Sequence, residues 1–381
     1  MLVDRRLFSQ FDFKLLGIVL TIPLLGLIVL YSAGYDAETS IRITSWLPIE
    51  IKSLSFFRQT IFLLCGLFVV LITSLIPTIW LQRWAYIIYA IGVVLLIAVL
   101  IFGVASKGSV RWLQLPGFRF QPSEVMKVVL ILALARYLSR NVPGPGGYGF
   151  KELVIPFIMI LVPMGLVMRQ PDLGTSLALA GIGFGMILFL GIRFKALLIM
   201  VSSVVAAIIP AWLFLLHPYQ KRRVLTLVNP EADPLGSGYH ITQSKIAVGS
   251  GEFLGKGFMR GTQSQLEFLP EHTTDFVFSV LGEEWGFLGV LVILSLFFIL
   301  LWRLLVLSGK ARDLFGSMIV VGASLFIFIH VFVNVGMVIG LLPVVGIPLP
   351  LFSYGGTSLM MNMFAIGLVQ GVCMRRYMFA G

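Results

Sequence analysis

Long apolar stretches alternate with short polar ones along almost the whole chain. A membrane-spanning helix needs about 20 mostly apolar residues, because the hydrocarbon core of a bilayer is about 30 Å thick. Ten stretches approach that length, and each predicts a membrane-spanning helix. Their approximate bounds are 14–32, 57–76, 83–103, 123–138, 153–168, 173–190, 195–216, 276–302, 315–341 and 354–374. The predicted fold class is therefore an all-α integral membrane protein, with residues 1–381 forming a single polytopic domain.

The longest segment between predicted spans is residues 217–275, between the seventh and the eighth. Loops of this length are either functional or disordered. This one contains apolar and turn residues instead of a low-complexity repeat, as in NPEADPLGSGYHITQSKIAVGSGEFLGKGF. We therefore expect it to fold against one face of the membrane as a large extracytoplasmic loop.

Composition and charge support a membrane protein. The chain is 58% hydrophobic and 12% charged, whereas soluble domains are about a quarter charged. The net charge of +11 reflects Lys and Arg that flank the spans. Because no basic run is interleaved with exposed aromatic residues, we expect no nucleic-acid partner. Cys65 and Cys373 lie in or beside apolar runs and form neither a disulfide pattern nor a CxxC motif.

The distribution of Lys and Arg also predicts orientation. An even number of spans places both termini on one side, and the short loops on that side carry more Lys and Arg than the short loops opposite. Positive loops are retained in the cytoplasm. We therefore expect a multi-pass protein of the cytoplasmic (inner) membrane with both termini cytoplasmic. The first apolar stretch is interpreted as a signal anchor and not as a cleaved signal peptide.

Polar residues near membrane depth are concentrated on the side away from the termini, which suggests a site open to the outside. Glu124 and Lys127 are three residues apart, so a helix places them on one face. They form either a structural ion pair or a charge couple lining a substrate groove. Lys107, Arg111 and Arg119 precede them, and either contact lipid headgroups or recognise phosphate, which suits Arg geometry.

Asp275 ends a polar run, and the next residue begins an apolar one, in PEHTTDFVFSVLGEEWGFLG. It is either the cap of a helix or a general base at the membrane surface. Glu283 lies about 12 Å further along a continuous helix, and is either a weaker candidate base or a structural partner of a cation on another span. Glu267, Glu271, His272 and Asp275 have no spacing typical of metal ligands. We expect no tightly bound cofactor; a divalent cation, Mg²⁺ or Mn²⁺, shared with a substrate phosphate fits better.

One outward carboxylate with nearby cations suits glycosyl transfer from a lipid pyrophosphate. Pyrophosphate is a good leaving group once its charge is neutralised, so a single base is sufficient. The chain has no nucleotide-binding glycine motif and no nucleophile elbow. Two alternatives stay open from the residues alone. They are a flippase or other transporter of the lipid, and a non-enzymatic scaffold, for which the resemblance described next implies a transpeptidase as partner.

Several motifs resemble those of the SEDS family, the shape, elongation, division and sporulation proteins. They are RFQPSEVMK, QPDLGTS, NPEADPLGSGYHITQSKIAVGSG, GTQSQLEFLPEHTTDFVFSVLGEEWGFLG and VVGIPLPLFSYGGTS, in this order from about residue 100 to the end. Within the family, GTQSQLEFLPE resembles the elongation members more than the division members. The resemblance implies a peptidoglycan glycosyltransferase that polymerises lipid II on the outer face of the membrane during cell elongation and rod-shape maintenance.

The resemblance also implies roles for individual residues and partners. Asp275 matches the family's general base, for an inverting transfer with polyprenyl pyrophosphate as leaving group. The partners expected are lipid II, a class B penicillin-binding protein and other elongation-complex membrane proteins. We predict that polar residues of the matching motifs bind substrate. They are Lys107, Arg111, Gln121, Ser123, Glu124, Lys127, Gln170, Asp172, Gln243, Lys245, Ser264, Gln265, Glu267 and Ser353.

Overall fold

The computed structural model is a bundle of long helices joined by short connections. It describes residues 10–36, 41–44, 47–106, 109–115, 118–215, 218–232, 236–266, 268–269 and 271–376. The first seven helices are α1 Phe13–Ala33, α2 Leu54–Leu75, α3 Thr78–Phe102, α4 Pro122–Arg140, α5 Phe150–Arg169, α6 Leu173–Leu190 and α7 Phe194–Pro210. The others are α8 Pro218–Val228, α9 Ser237–Ser250, α10 Thr262–Gln265, α11 Val277–Ser308, α12 Leu314–Val338 and α13 Gly356–Met374.

Two small antiparallel sheets lie between the first four helices. One pairs β1 Ile41–Thr44 with β2 Leu47–Ile51, between α1 and α2. The other has the strand order β3 Val104–Ser106, β4 Ser109–Leu115 and β5 Phe118–Phe120, between α3 and α4. The second sheet leads directly into α4.

Capping residues in the sequence set where several helices begin. Asp12 accepts a hydrogen bond from the amide of Leu15 at the start of α1, at 2.8 Å. Asp172 accepts one from Thr175 at the start of α6, at 3.1 Å, and Asp313 one from Gly316 at the start of α12, at 2.7 Å. An Asp at this position satisfies an amide that has no partner inside the helix.

The prediction of an all-α membrane protein is confirmed. Nine helices in the described part of the chain are long and apolar enough to cross a membrane. The remaining predicted span, 123–138, corresponds to α4, which also carries Glu124, Lys127, Arg136 and Arg140. Helix α4 is surrounded by α3, α5, α6, α12 and α13, and most of its residues are buried. The charges of Glu124 and Lys127 are tolerated because the two side chains pair with each other inside protein.

Helices α1 and α11 pack against each other and define two ends of the bundle. At one end Arg303 binds the carboxylate of Asp12, and at the other the hydroxyl of Ser32 donates to Glu284. Along α1 these contacts are about 30 Å apart at 1.5 Å per residue, which is about the thickness of the hydrocarbon core. Gln370 near the end of α13 also binds Asp12. We call the end with Asp12 the terminal end and the other the loop end.

The 217–275 segment folds at the loop end into helices α8, α9 and α10 and a 3-10 turn at Pro230–Ala232. Helix α9 packs against α11 and α12. There the hydroxyl of Ser244 contacts that of Ser279 at 2.8 Å and donates to the carbonyl of Val338 at 2.7 Å. The segment is therefore anchored on the helices themselves.

Helix α11 is broken at Gly286, whose φ of 62° and ψ of −161° are not helical. The prediction of one uninterrupted span over 276–302 is wrong in this detail. A short helix, 277–285, lies on one side of the break, and 287–308 on the other. The second part alone is about 33 Å long at 1.5 Å per residue. The membrane crossing therefore begins after Gly286, and Glu283 and Glu284 lie at the loop end, not in the middle of a span.

Candidate functional site

A buried chain of three polar side chains connects α4 to α12. The Lys127 ammonium lies 2.6 Å from a Glu124 carboxylate oxygen and 2.7 Å from Nε2 of His330. It is 1% exposed. The other ring nitrogen of His330, Nδ1, is 2.7 Å from the carbonyl of Phe326. Because Lys127 is enclosed between two partners, it can orient Glu124 but is poorly placed to meet a substrate phosphate directly.

Asp275 lies against a glycine turn between α12 and α13. A side-chain carbon placed on Gly346 would be 3.2 Å from an Asp275 carboxylate oxygen. Gly346 has a φ of 72°, a conformation that favours glycine. Helix α11 begins at Val277, with Phe276 at the N-cap position, so Asp275 lies outside the cap position. Phe276, and not Asp275, therefore holds the cap position of this helix, and the assignment of Asp275 as a general base stays a prediction.

Asn334 connects Asp275 to the same turn. Its side-chain amide donates to the backbone carbonyl of Asp275 at 2.9 Å and to that of Ile347 at 2.8 Å. His330 is four residues earlier on α12, so the two side chains lie one helical turn apart on one face. The Glu124–Lys127 pair and Asp275 are therefore neighbours, held by one face of α12.

Two further polar segments, one on β4 and one at the start of α6, lie beside the turn that contacts Asp275. Arg111 on β4 lies 3.5 Å from a carboxylate oxygen of Asp172 and donates to the carbonyl of Pro171 at 2.8 Å. A side-chain carbon on Gly174 would be 3.0 Å from the carbonyl oxygen of Val345. The start of α6 thus packs against the turn beneath Asp275. We call the region formed by 121–127, 170–176, 271–279 and 344–353, with Arg111, His330 and Asn334, the loop-end site.

The sequence offered Glu283 as a second candidate base, and the structure separates its role from that of Asp275. Glu283 accepts hydrogen bonds from Lys256 at 2.7 Å, from the Thr262 hydroxyl at 3.1 Å and from the amide of Gln263 at 3.0 Å. The expected structural pairing of Glu283 with a cation is present, but Lys256 comes from the loop segment and not from another span. Glu283 therefore holds α10 in place.

Several predicted substrate-binding residues have structural partners. The amide of Ser264 donates to Glu283 at 3.3 Å, and Gln265 donates to the carbonyl of Ser32 at 3.0 Å. The side chain of Gln170 donates to the carbonyl of Leu96 at 3.0 Å. The Ser353 hydroxyl accepts from the amide of Leu349 at 2.9 Å. The contacts of Gln170 and Ser353 lie within the loop-end site, whereas those of Ser264 and Gln265 hold α10 outside it.

The remaining predicted residues divide into three groups. Gln121 is the N-cap residue of α4, and the buried Ser123 follows it. Gln243 and Lys245 are on α9; a side-chain carbon on Gly340 would meet Lys245 at 2.0 Å, so that lysine crosses the loop end of α12. Lys107 and Glu267 lie outside the described residues. Their assignment as substrate-binding residues remains a prediction, as it does for the others.

Sequence reasoning gave His330 and Asn334 no role in the site. Both are polar residues in an otherwise apolar span, four positions apart, and this spacing on one helix face was the available signal. Across the described residues, no group of three His, Cys, Asp or Glu side chains is arranged to hold a metal ion.

These features define a multi-pass helical membrane protein with a polar site at one end of its bundle. Residues 13–378 match the model of the cell cycle protein family FtsW/RodA/SpoVE, so the chain belongs to this family. The resemblance to the SEDS proteins is thereby confirmed. The chain is a multi-pass protein of the inner membrane, as its membrane helices and its relatives indicate.

The similar proteins include both wall-synthesis enzymes and solved structures. Peptidoglycan glycosyltransferase MrdB of Escherichia coli (strain K12) is 46% identical over 315 residues, which are 83% of this chain and 84% of that protein. MrdB of Helicobacter pylori (strain ATCC 700392 / 26695) is 35% identical over 382 residues, covering 100% of this chain and 94% of the relative.

Two solved structures share the fold over almost the whole chain. A chain of a peptidoglycan synthase complex, described as coordinating polymerization and crosslinking, superposes with a TM-score of 0.80 at 31% identity. It covers 97% of this chain and 99% of that one. The rod shape determining protein RodA of Thermus thermophilus superposes with a TM-score of 0.70 at 28% identity, covering 97% and 98%.

Proposed function

We propose that this chain polymerises lipid II into glycan strands at the outer face of the cytoplasmic membrane, with Asp275 as the general base. The chain is a peptidoglycan glycosyltransferase of the elongation type, the activity for which its MrdB relatives are named. The observation that carries the proposal for the base is the position of Asp275. Its carboxylate lies beside Gly346, and its backbone carbonyl binds Asn334, one turn of α12 from the His330 that contacts Lys127.

In the proposed reaction, Asp275 removes the proton from the 4-hydroxyl of the acceptor's GlcNAc. That oxygen attacks the anomeric carbon of the donor's MurNAc, and the bond to the polyprenyl pyrophosphate breaks with inversion. One base is sufficient, because the pyrophosphate leaves without being protonated once its charge is neutralised.

Positive charge for the leaving group comes from the walls of the site. Arg111 is partly exposed and Lys245 is exposed, so both can turn towards a phosphate. Lys127 acts differently, because its two buried contacts keep it beside Glu124. A divalent cation, Mg²⁺ or Mn²⁺, carried with the pyrophosphate would add to this neutralisation, and its ligands would come mainly from the substrate and water.

The proposal includes orientation and partners. The loop end faces outward and the terminal end, with both termini, faces the cytoplasm, as the distribution of Lys and Arg indicates. A class B penicillin-binding protein cross-links the new strand, in agreement with the coordination of polymerization and crosslinking described for the similar synthase complex. Other membrane proteins of the elongation complex complete the assembly.

The test compares polymerisation with lipid translocation in the same vesicles. The purified chain and its cognate transpeptidase are reconstituted with fluorescent lipid II. Glycan polymers are separated on a gel, and flipped lipid is measured by its accessibility to a reagent added outside. We expect polymer that depends on the chain. Lipid translocation without any polymer, in the presence of the transpeptidase, would contradict the proposal and favour a flippase.

A further inference from the structure

The break in α11 is closed by residues 252–257 of the loop segment. The amides of Lys256 and Gly257 donate to the carbonyls of Glu283 and Glu284, each at 3.0 Å. In the other direction, the amides of Phe287 and Leu288 donate to the carbonyls of Glu252 and Phe253, at 2.9 and 3.1 Å. Helix ends leave such groups without partners, so this short segment satisfies backbone groups on both sides of the break.

These hydrogen bonds fix the height of the segment relative to the membrane. Glu284 binds Ser32 at the loop end of α1, about 30 Å from the Asp12–Arg303 contact at the terminal end. The membrane-spanning part of α11 begins at Phe287, after the break. Residues 252–257 therefore lie at the level where the hydrocarbon core ends.

Two large apolar side chains project from the segment at that level. Phe253 is 62% exposed and Leu254 is 71% exposed. The ring of Phe253 stacks on that of Phe287, with centroids 5.9 Å apart, so it continues the lipid-facing surface of α11. Arg260, a few residues further on, is also exposed. An apolar pair followed by a basic residue is typical of segments at a membrane interface.

We propose that residues 252–257 are an interfacial anchor, whose Phe253 and Leu254 side chains insert into the lipid leaflet at the loop end. The occupant of this surface is bilayer lipid, because the surface is continuous with a membrane-spanning helix. The short helix 277–285 and the loop segment are then held at a fixed height. The anchor would also set the height of Asp275, and the importance of that height rests on the proposed function of Asp275 as a base. The lipid contact itself does not rest on the proposed function.

Spin-label accessibility tests the insertion directly. In a Cys65→Ala background, which retains the buried Cys373, a nitroxide is attached to Leu254→Cys, or in parallel to Phe253→Cys. The chain is reconstituted alone into phosphatidylethanolamine–phosphatidylglycerol vesicles. Collision with oxygen, which partitions into lipid, is compared with collision with a water-soluble nickel chelate.

Two reference positions calibrate the measurement. Leu291→Cys lies one turn inside the membrane-spanning part of α11, and Glu231→Cys lies on the loop segment; both native side chains are exposed. We expect the labels at 254 and 291 to collide more often with oxygen than with the nickel chelate, and the label at 231 to collide more often with the chelate. A label at 254 that behaves like 231 would overturn the proposal. Protection from both reagents would also overturn it, since it would indicate a protein contact.

Discussion

At the scale of single residues, the loop-end site depends on a few side chains that hold others in place. Asn334 is 0% exposed and connects the backbone at Asp275 to the Gly346 turn. Lys127 is held between Glu124 and His330. A general base acts only within hydrogen-bonding distance of the proton it removes. Small displacements of Asp275 are therefore expected to affect the rate more than binding.

Replacing Asn334 by Ala should lower kcat about 10- to 100-fold with little change in KM, because a displacement of about 1 Å at a reacting group costs about 100-fold. Both constants are measured in lipid II polymerisation. Asn362→Ala is the matched control, since Asn362 is also fully buried. Its side-chain amide donates to the backbone carbonyl of Ser358 within α13, at 2.8 Å. Equal losses of kcat in the two variants would show that Asn334 is only structural.

Removing Lys127 should destabilise the protein more than removing both members of its pair. Lys127→Met leaves the Glu124 carboxylate buried and uncompensated, a loss that typically costs about 3–5 kcal/mol. Lys127→Met with Glu124→Gln should recover most of that stability, measured by thermal unfolding in detergent, without recovering polymerisation. A double variant as unstable as the single one would argue against the pair as the cause.

At the scale of elements, the unusual feature is the broken helix α11. Apolar residues flank Glu283, Glu284 and Gly286 on both sides, so the sequence predicts one long span. The break follows from tertiary contacts, because residues 252–257 replace the hydrogen bonds that the helix loses there. By contrast, the starts of α1, α6 and α12 follow from the sequence, since Asp12, Asp172 and Asp313 cap these helices where the apolar runs begin.

Gly286→Ala should destabilise the fold. A side-chain carbon at this position would be 2.3 Å from the amide nitrogen of Gly255, and a residue other than glycine is strained at this φ and ψ. We expect a loss of at least about 1–3 kcal/mol from strain alone. Gly17→Ala in α1, where nothing lies within 4 Å, should be neutral or slightly stabilising in the same thermal unfolding assay. A stable, active Gly286→Ala variant would contradict the break.

At the scale of the whole molecule, the sequence predicts the spans and the motifs but not how they meet. Ten apolar stretches and their flanking charges are local features, and the structure has a helix for each of them. The meeting of Lys127 with His330, and of Asp275 with Asn334 and Gly346, depends on the packing of α4, α11 and α12. Hydropathy carries no information about that packing, which is why the roles of His330 and Asn334 could not be predicted from the sequence.

The orientation of the bundle can be measured with two single cysteines in a Cys65→Ala background. Glu231→Cys lies at the loop end and Arg312→Cys in the turn at the terminal end, and both native side chains are exposed. A maleimide that cannot cross membranes should label position 231 in spheroplasts, and position 312 only after lysis. The reverse pattern would place the loop end in the cytoplasm and exclude Asp275 from acting outside.

The central claim is that Asp275 is the base of a glycan polymerase, and Asp275→Asn tests it most directly. The variant keeps the shape of the side chain and removes its basicity, so polymerisation of lipid II with the cognate transpeptidase should fall at least about 100-fold. Asp313→Asn is the control, because Asn caps a helix as well as Asp does, and it should polymerise like the unmodified chain. Equal polymer from Asp275→Asn and the unmodified chain would contradict the account.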